Sequence, residues 1–355
     1  MNNNHSFVIN NRPIGDGHPA YLIAEMSANH AQDMNRALEI IHAAKEAGAD
    51  CVKIQTYTAD TITLDCRNSY FTLNGGAWNG ENLHDLYAKA YTPWEWQPRL
   101  KEEADKIGID FFSTPFDPTS VDFLEKMGVS FYKIASFEVV DIPLIKKTAS
   151  TGKPIIMSVG MATLPEIEEA VEAVYSTGNR QLALLKCCSV YPAIPDDMNL
   201  KTIQDMKERF QVPIGLSDHS MGGIAAVTAV VLGANIIEKH FCLGRDIENP
   251  DAAFSMEPEE YRKMVEDIRQ AEKAMGKVSY ELSEEESTSR NTRKSIFVSA
   301  DIAKGEILTP ENIRVVRPAY GMEPKYYEQV LGMRAKQDLS FGTPLSWDVL
   351  ENGEK

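Results

Sequence analysis

Two histidines close two strand-like runs, Pro213-Ile214-Gly215-Leu216-Ser217-Asp218-His219 and Ile236-Ile237-Glu238-Lys239-His240-Phe241, with a helix-length apolar stretch between them. One imidazole at a strand end reads most simply as a cap that hydrogen-bonds a nearby turn. Two on successive strands read better as ligands of an open metal site, because neutral imidazole is a common nitrogen donor to divalent ions. Side chains alternate across a strand, so residues two apart share a face. Ser217 therefore lies with His219, Glu238 with His240, and Lys53 with Gln55 in Cys51-Val52-Lys53-Ile54-Gln55.

Lys53 and Lys133 sit inside otherwise apolar runs, Cys-Val-Lys-Ile-Gln and Phe-Tyr-Lys-Ile-Ala. A lysine there must be desolvated at a cost or meet an anion. One outcome is a salt bridge to an internal carboxylate such as Glu238. The other is a pocket for a phosphate or carboxylate ligand, favoured by the hydroxyls at comparable strand ends: Thr114, Ser136, Ser158, Ser189 and Ser217. Glu25 and Asn29 add polar groups from the first unit. Glu25 and Asp251 are candidates for general acid and base, or for orienting sugar hydroxyls, although an Asp after Asn249-Pro250 is more often an ordinary surface-loop carboxylate.

Positioning these groups on one rim requires a particular architecture. Short β-branched runs alternate with amphipathic stretches eight times, with strands expected at 21–27, 51–57, 110–116, 131–136, 154–159, 182–188, 213–219 and 236–241. Helices are expected at 33–47, 93–107, 118–127, 142–149, 164–176, 200–209, 222–232 and 257–275. Eight βα units predict a (β/α)8 TIM barrel, whose active sites gather at the carboxyl ends of the strands. A doubly wound sheet would be expected to show a glycine-rich turn after its first strand, where this chain has Ser27-Ala28-Asn29-His30.

The connection from Thr58 to Thr92 is too long for an ordinary loop and contains Trp78, with Trp94 and Trp96 just beyond it. It is expected to lie over the rim as a substrate lid. After Met275 the composition shifts. Residues 278–290, including Ser283-Glu284-Glu285-Glu286-Ser287-Thr288-Ser289, read as a linker between a catalytic domain at 1–277 and a compact segment at 291–355. That segment is expected to have short strands, turns at Gly305, Gly332 and Gly342, and a helix starting at Thr309-Pro310.

The 355 residues, 43% hydrophobic and 25% charged, describe a globular chain with neither a membrane-length apolar run nor a signal-like start at Met1-Asn2-Asn3-Asn4-His5. A cytoplasmic location is the expectation. Five scattered cysteines with no C-x-x-C pair fit a reducing compartment, and Cys187 and Cys188 read as small buried hydrophobes. A net charge of −16 disfavours nucleic acid and anionic membranes as partners, so cations that bind an anionic substrate must be concentrated locally.

With Ile-Ala-Glu25-Met-Ser-Ala-Asn29-His30, Lys53-Ile-Gln55, Ser113-Thr114-Pro115, Lys133-Ile-Ala-Ser136, Gly215-Leu-Ser217-Asp218-His219 and Glu238-Lys-His240-Phe in this order, the chain closely resembles the sialic acid synthase family over nearly its full length. The family joins its barrel to a small antifreeze-like (SAF) domain, which 291–350 resembles. The run Asn74-Gly75-Gly76-Ala77-Trp78-Asn79-Gly80, with Asp85-Leu86-Tyr87 and Tyr91-Thr92-Pro93-Trp94-Glu95-Trp96-Gln97, resembles the branch of the family that makes pseudaminic acid.

The resemblance implies a transferase that condenses phosphoenolpyruvate with an acetamido sugar in its open aldehyde form, here 2,4-diacetamido-2,4,6-trideoxy-altrose. N-acetylneuraminate and legionaminate synthesis are the enzymatic rivals, and a sugar-binding barrel without turnover is the non-enzymatic one. His219 and His240 would bind a divalent ion, manganese first and magnesium or cobalt as alternatives. Lys53, Thr114, Lys133, Ser136, Ser158, Ser189 and Ser217 would hold phosphate and carboxylate, with Gln55 and Tyr191 also among the substrate contacts. Glu25 would position the attacking water and Asp251 would meet the sugar or a metal-bound water. Arg317, in Val316-Arg317-Pro318-Ala319-Tyr320-Gly321, would reach the barrel of the partner in a domain-swapped homodimer. The chain departs from the family pattern at Cys187-Cys188-Ser189-Val190-Tyr191-Pro192, where relatives commonly carry Thr or Asn.

Overall fold

The computed structural model describes residues 6–75 and 78–351. Two antiparallel strands, β1 (Ser6–Ile9) and β2 (Arg12–Gly15), come first, joined by Asn10 and Asn11 at φ 46° and 67°. Both turn residues lie in the left-handed region that a two-residue type I′ hairpin demands and that asparagine tolerates.

Eight parallel strands then close into a barrel: β3 (Tyr21–Glu25), β4 (Cys51–Thr56), β5 (Asp110–Pro115), β6 (Tyr132–Ile134), β7 (Ile155–Ser158), β8 (Leu182–Cys187), β9 (Ile214–Asp218) and β10 (Ile236–His240). β10 pairs with β3 to complete the ring. The alternation along each strand sorts side chains between two cores. On β3, Leu22 and Ala24 join the layer between strands and helices, while Tyr21 and Ile23 point inward with Cys51, Phe112, Phe131, Ile156, Ala183, Leu185 and Ile236. Phe7, Ile9 and Ile14 of the hairpin belong to that inner cluster and close the barrel at its amino end.

The surrounding helices are α1 (Met34–Glu46), α4 (Gln97–Ile107), α5 (Pro118–Met127), α6 (Ile142–Ala149), α7 (Leu164–Ser176), α8 (Thr202–Phe210), α9 (Ile224–Val231) and α10 (Pro258–Met275). The (β/α)8 expectation is met, with shorter strands: Ser27, Tyr57, Ser136 and His219 lie just past their strands, in the loops that form the rim. The helix expected from Pro93 begins at Gln97, after a turn in which the Trp96 amide bonds the Pro93 carbonyl.

The 58–92 connection carries two short helices, α2 (Ala59–Ile62) and α3 (Leu83–Ala90). Its neighbouring tryptophans serve different ends. Trp94 donates to the Tyr57 carbonyl at 3.0 Å and packs 4.8 Å from Phe123, and Trp96 meets His30 edge-on. Only Trp78 belongs to the rim.

The chain divides into two compact units, one ending at Gly276 and one beginning at Lys277. The stretch expected as a linker holds a short exposed helix, α11 (Glu284–Ser289), started by a capping box between Ser283 and Glu286. The second unit pairs β11 (Ser295–Val298) with β12 (Ile313–Val316) and β13 (Arg334–Ala335) with β14 (Leu350–Glu351), and it includes α12 (Tyr327–Val330). Its own core includes Ile296, Val298, Ile302, Leu308, Ile313, Leu339 and Leu345. Thr309-Pro310 starts a single turn rather than a helix, because the Asn312 side chain accepts from the Thr309 amide and the chain enters β12 at Ile313.

Gly215 shows how tightly the barrel wall is built beneath the rim. A Cβ there would lie 2.4 Å from the Ile236 carbonyl oxygen and 2.5 Å from Leu185 Cδ2. Gly215→Ala is expected to lower stability by roughly 1–3 kcal/mol or more in urea unfolding; an unchanged midpoint would remove the close-approach argument.

Candidate active site

Four charges converge inside the barrel mouth. Lys53 Nζ lies 2.8 Å from Glu25 Oε2 and 3.4 Å from Glu238 Oε1, and Lys133 Nζ lies 3.9 Å from Glu238 Oε1. All four residues are buried, Glu25 and Lys133 to 1% exposure. Of the two outcomes left open for the lysines, the internal salt bridge is present, and hydroxyls contact both ammoniums as well. Lys53 donates to Thr114 Oγ1 at 3.3 Å, and Lys133 to Ser158 Oγ at 2.6 Å and to the Ile134 carbonyl at 3.1 Å. Ser217 Oγ donates to Glu238 Oε1, and Gln55 Nε2 bridges Glu25 Oε1 and Ser27 Oγ, each at 2.9 Å.

The charges set one another's protonation. Burial acts against charged Lys53, yet Glu238 and Glu25 hold it above its ordinary range. For Lys133 burial wins and lowers it despite Glu238. Burial pushes Glu25 up, with Lys53 opposing and Glu238 adding to the rise. Glu238 goes the other way: burial would raise it, but Lys133, Lys53 and His219 bring it below the usual carboxylate range. Glu238 is the anion that the two buried lysines share, and its charge raises the pKa of each against the effect of burial.

Beside this cluster lies a cradle of small groups. The Gly160 amide donates to Ser136 Oγ at 3.0 Å, and a Cβ on Gly160 would lie 2.3 Å from Ser189 Oγ and 2.9 Å from Ser136 Oγ. Glycine is what admits both hydroxyls to that point. Ser136 and Ser189 thus meet at Gly160, while Ser158 meets Lys133.

One step further along the strands, the His219 and His240 rings lie with centroids 5.5 Å apart. His219 Nδ1 is 2.9 Å from the Cys188 carbonyl, which it can meet only as an N–H donor, so the neutral ring leaves its Nε2 lone pair free to bind a metal ion. His240 Nδ1 is buried without a hydrogen-bond partner, and Asp251 Oδ2 at 4.0 Å is too far to supply one. Burial and the nearby cations His219, Lys53 and Lys239 hold His240 well below its ordinary value, so the imidazole is neutral. Two adjacent imidazoles, that of His240 neutral and with an orphaned nitrogen, fit a divalent ion. Among the described residues no group of three or more His, Cys, Asp or Glu side chains is arranged as a closed metal cage. An ion held here would complete its shell with water or substrate oxygens.

Asp251 is not a surface carboxylate. It is buried, and its Oδ2 accepts from the Ala28 amide at 3.1 Å, tying the loop after β10 to the turn after β3. Burial raises its pKa, with Ser27 and the Ala28 amide opposing. Asn29 and Ser255 complete the tie at 2.8 Å. Tyr191 packs 4.2 Å from the His219 ring and 5.0 Å from Phe254, and Phe254 packs 5.1 Å from His240. Trp78 leans on Tyr191 and Phe254 and donates to the Pro250 carbonyl at 3.1 Å. A cavity of about 1140 Å³ shares Trp78, Tyr191 and Phe254 as walls.

Several participants escaped sequence reading. Glu238 is legible from its spacing as a face-mate of His240, but its contact with both lysines is not. Cys187 faces inward, its Sγ 3.7 Å from His219 Nδ1 and 3.6 Å from Ser189 Oγ, whereas Cys188 packs outward. Phe254 carried no signal, being one apolar residue in a loop. Glu138 follows Ser136 in a single 3-10 turn, with a buried, unpartnered Oε2. Arg317 is exposed just after β12 in the second unit.

Residues 40–280 match the model of the NeuB family, and residues 293–351 match the SAF domain. The chain belongs to the NeuB family. Its curated relatives include the pseudaminic acid synthases of Campylobacter jejuni and Helicobacter pylori, each 44% identical over 334 residues, 94% of this chain and 96% and 98% of theirs. The crystal structure of N-acetylneuraminic acid (sialic acid) synthetase from Leptospira borgpetersenii in complex with citrate superposes with a TM-score of 0.72 at 33% identity, over 81% of this chain and 95% of that one. The resemblance read from the motifs holds for the family and for the SAF domain.

Burial pushes Glu138 up to about 7 from an ordinary 4.5, against the pull of Lys133. Ionising it in the fold therefore costs stability above pH 7, and the cost vanishes below pH 4.5, where the carboxyl is protonated folded and unfolded. Glu138→Gln is expected to unfold at higher urea than the parent above pH 7, the two converging at pH 4.5 and below. A difference independent of pH would contradict the assignment.

Proposed function

We propose that the protein is an enzyme that condenses phosphoenolpyruvate with 2,4-diacetamido-2,4,6-trideoxy-β-L-altropyranose and water, giving pseudaminic acid and phosphate. The observation that carries the chemistry is that Lys53 and Lys133, among hydroxyls, share the carboxylate of Glu238, two residues before His240 on β10. The choice of sugar rests on the 44% identity to two synthases named for that product.

Lys53 and Lys133, with Thr114, Ser136, Ser158, Ser189, Ser217 and the Gly160 amide, bind the phosphate and carboxylate of the enol phosphate. The entering anion competes with Glu238 and Glu25 for the two ammoniums. C3 of the enol bonds to the aldehyde carbon of the opened sugar, whose oxygen becomes a hydroxyl by taking a proton. Water adds to the cationic C2 left behind, and the C2–O bond to phosphate breaks to leave the ketone. Glu25, whose pKa burial raises, holds that water and exchanges its protons. Gln55, which already positions Glu25, and Tyr191, on the aromatic wall, contact substrate. Asp251, at the foot of that wall, orients the sugar. A divalent ion held by His219 and His240, manganese on this reading with magnesium and cobalt as alternatives, would supply Lewis-acid polarisation of the aldehyde.

Arg317 belongs to a second, SAF-like unit, and its proposed place is the partner's site in a domain-swapped homodimer. No helix among the described residues is long and apolar enough to cross a membrane. Activated small-molecule substrates and the −16 charge support a cytoplasmic enzyme without nucleic-acid or membrane partners.

Phosphate release is the assay. The altrose derivative is expected to outpace N-acetylmannosamine and the legionaminic acid precursor, and equal or lower release would sink the sugar assignment. His219→Ala and His240→Ala are expected to lose bound ion and turnover together, whereas full activity in chelator would exclude the ion. Mixing inactive Arg317→Ala and His240→Ala chains is expected to restore activity, because one site of the mixed dimer is intact; a fully active monomer would rule the swap out.

A further inference from the structure

Behind the two histidines, on the opposite face of the same strands, lies an ion pair that the proposed chemistry does not use. Asp218 and Lys239 are register partners on β9 and β10, each one residue before a histidine. Alternation sends them outward from the barrel while His219 and His240 point in. Lys239 Nζ is 2.8 Å from Asp218 Oδ2, and the two side chains are 1% and 0% exposed. The same ammonium donates to the Ser220 carbonyl at 2.5 Å, and the Ser220 amide and hydroxyl donate to Asp218 Oδ1 at 2.9 and 2.6 Å. Both residues that flank His219 are therefore fastened to the residue that precedes His240.

Stability alone gives little reason for such a pair, since well-packed apolar side chains of similar volume often serve a buried position as well or better. An apolar pair could not hold the Ser220 carbonyl or the Asp218 carboxylate in place. We infer that Asp218 and Lys239, with Ser220, are positioning residues that set the spacing and orientation of His219 and His240 for a divalent ion. This rests on the ion-binding reading of those histidines.

The experiment compares the parent with the apolar pair Asp218→Leu/Lys239→Met, titrating apo-protein with Mn²⁺ by electron paramagnetic resonance and with Co²⁺ by its visible absorption. Thermal unfolding is followed in parallel. The double variant is expected to unfold close to the parent yet bind Mn²⁺ roughly 10- to 100-fold more weakly, the usual loss when a ligand's outer support is removed, with an altered Co²⁺ spectrum. Parent-like affinity and spectrum in a folded variant would overturn the inference. Should the double variant fail to fold, Ser220→Ala removes only the hydroxyl bond to Asp218. It is expected to weaken Mn²⁺ binding measurably with little change in unfolding, and unchanged binding would again overturn the inference. A parent that binds neither ion would overturn the ion-binding reading itself, and this inference with it.

Discussion

The structure turns on the mutual neutralisation of Lys53, Lys133, Glu25 and Glu238. Any one of these charges alone in the barrel mouth would be driven neutral or exposed by the cost of desolvation. Together they are bearable, and Glu238 is the hinge of the arrangement because it faces both lysines. That compensation lets the barrel carry two ammoniums beneath a pair of imidazoles without relying on solvent. It also explains how a chain with a net charge of −16 assembles a place suited to an anion: the positive groups are concentrated by the strand register, not by composition.

Much of this was legible because parallel barrel strands write themselves plainly. Apolar middles with polar last residues marked all eight strands, and the period of two placed Lys53 with Gln55 and His219 with Ser217. What stayed hidden depends on contacts distant in sequence or on elements too short to show a period. The β1–β2 hairpin has four residues per strand, and only Asn10-Asn11 hinted at its turn. Asp251 has the local sequence of a loop carboxylate because nothing nearby reveals that the Ala28 amide, 223 residues away, donates to it. Phe254 and Glu138 gained their places from the folding of loops, which alternation does not govern. Thr309-Pro310 has the chemistry of a helix start, but Asn312 closes the turn before a helix can form.

The division of labour among tryptophans makes the same point. Trp94 and Trp96 are close to the long insertion in sequence and belong to its support. Trp78 alone joins the wall above the histidines, through a hydrogen bond to the backbone next to Asp251. The insertion is thereby tied to the loop after the eighth strand.

The hairpin under the barrel has a consequence of its own. By adding Phe7, Ile9 and Ile14 beneath an already packed barrel interior it seals the amino end, so the site is a blind well that opens toward the rim. Traffic in a blind well is last in, first out. On the proposed chemistry the three-carbon donor, seated at the lysine level, must enter before the sugar rests against the aromatic wall. The nine-carbon product must then leave before the phosphate beneath it can follow.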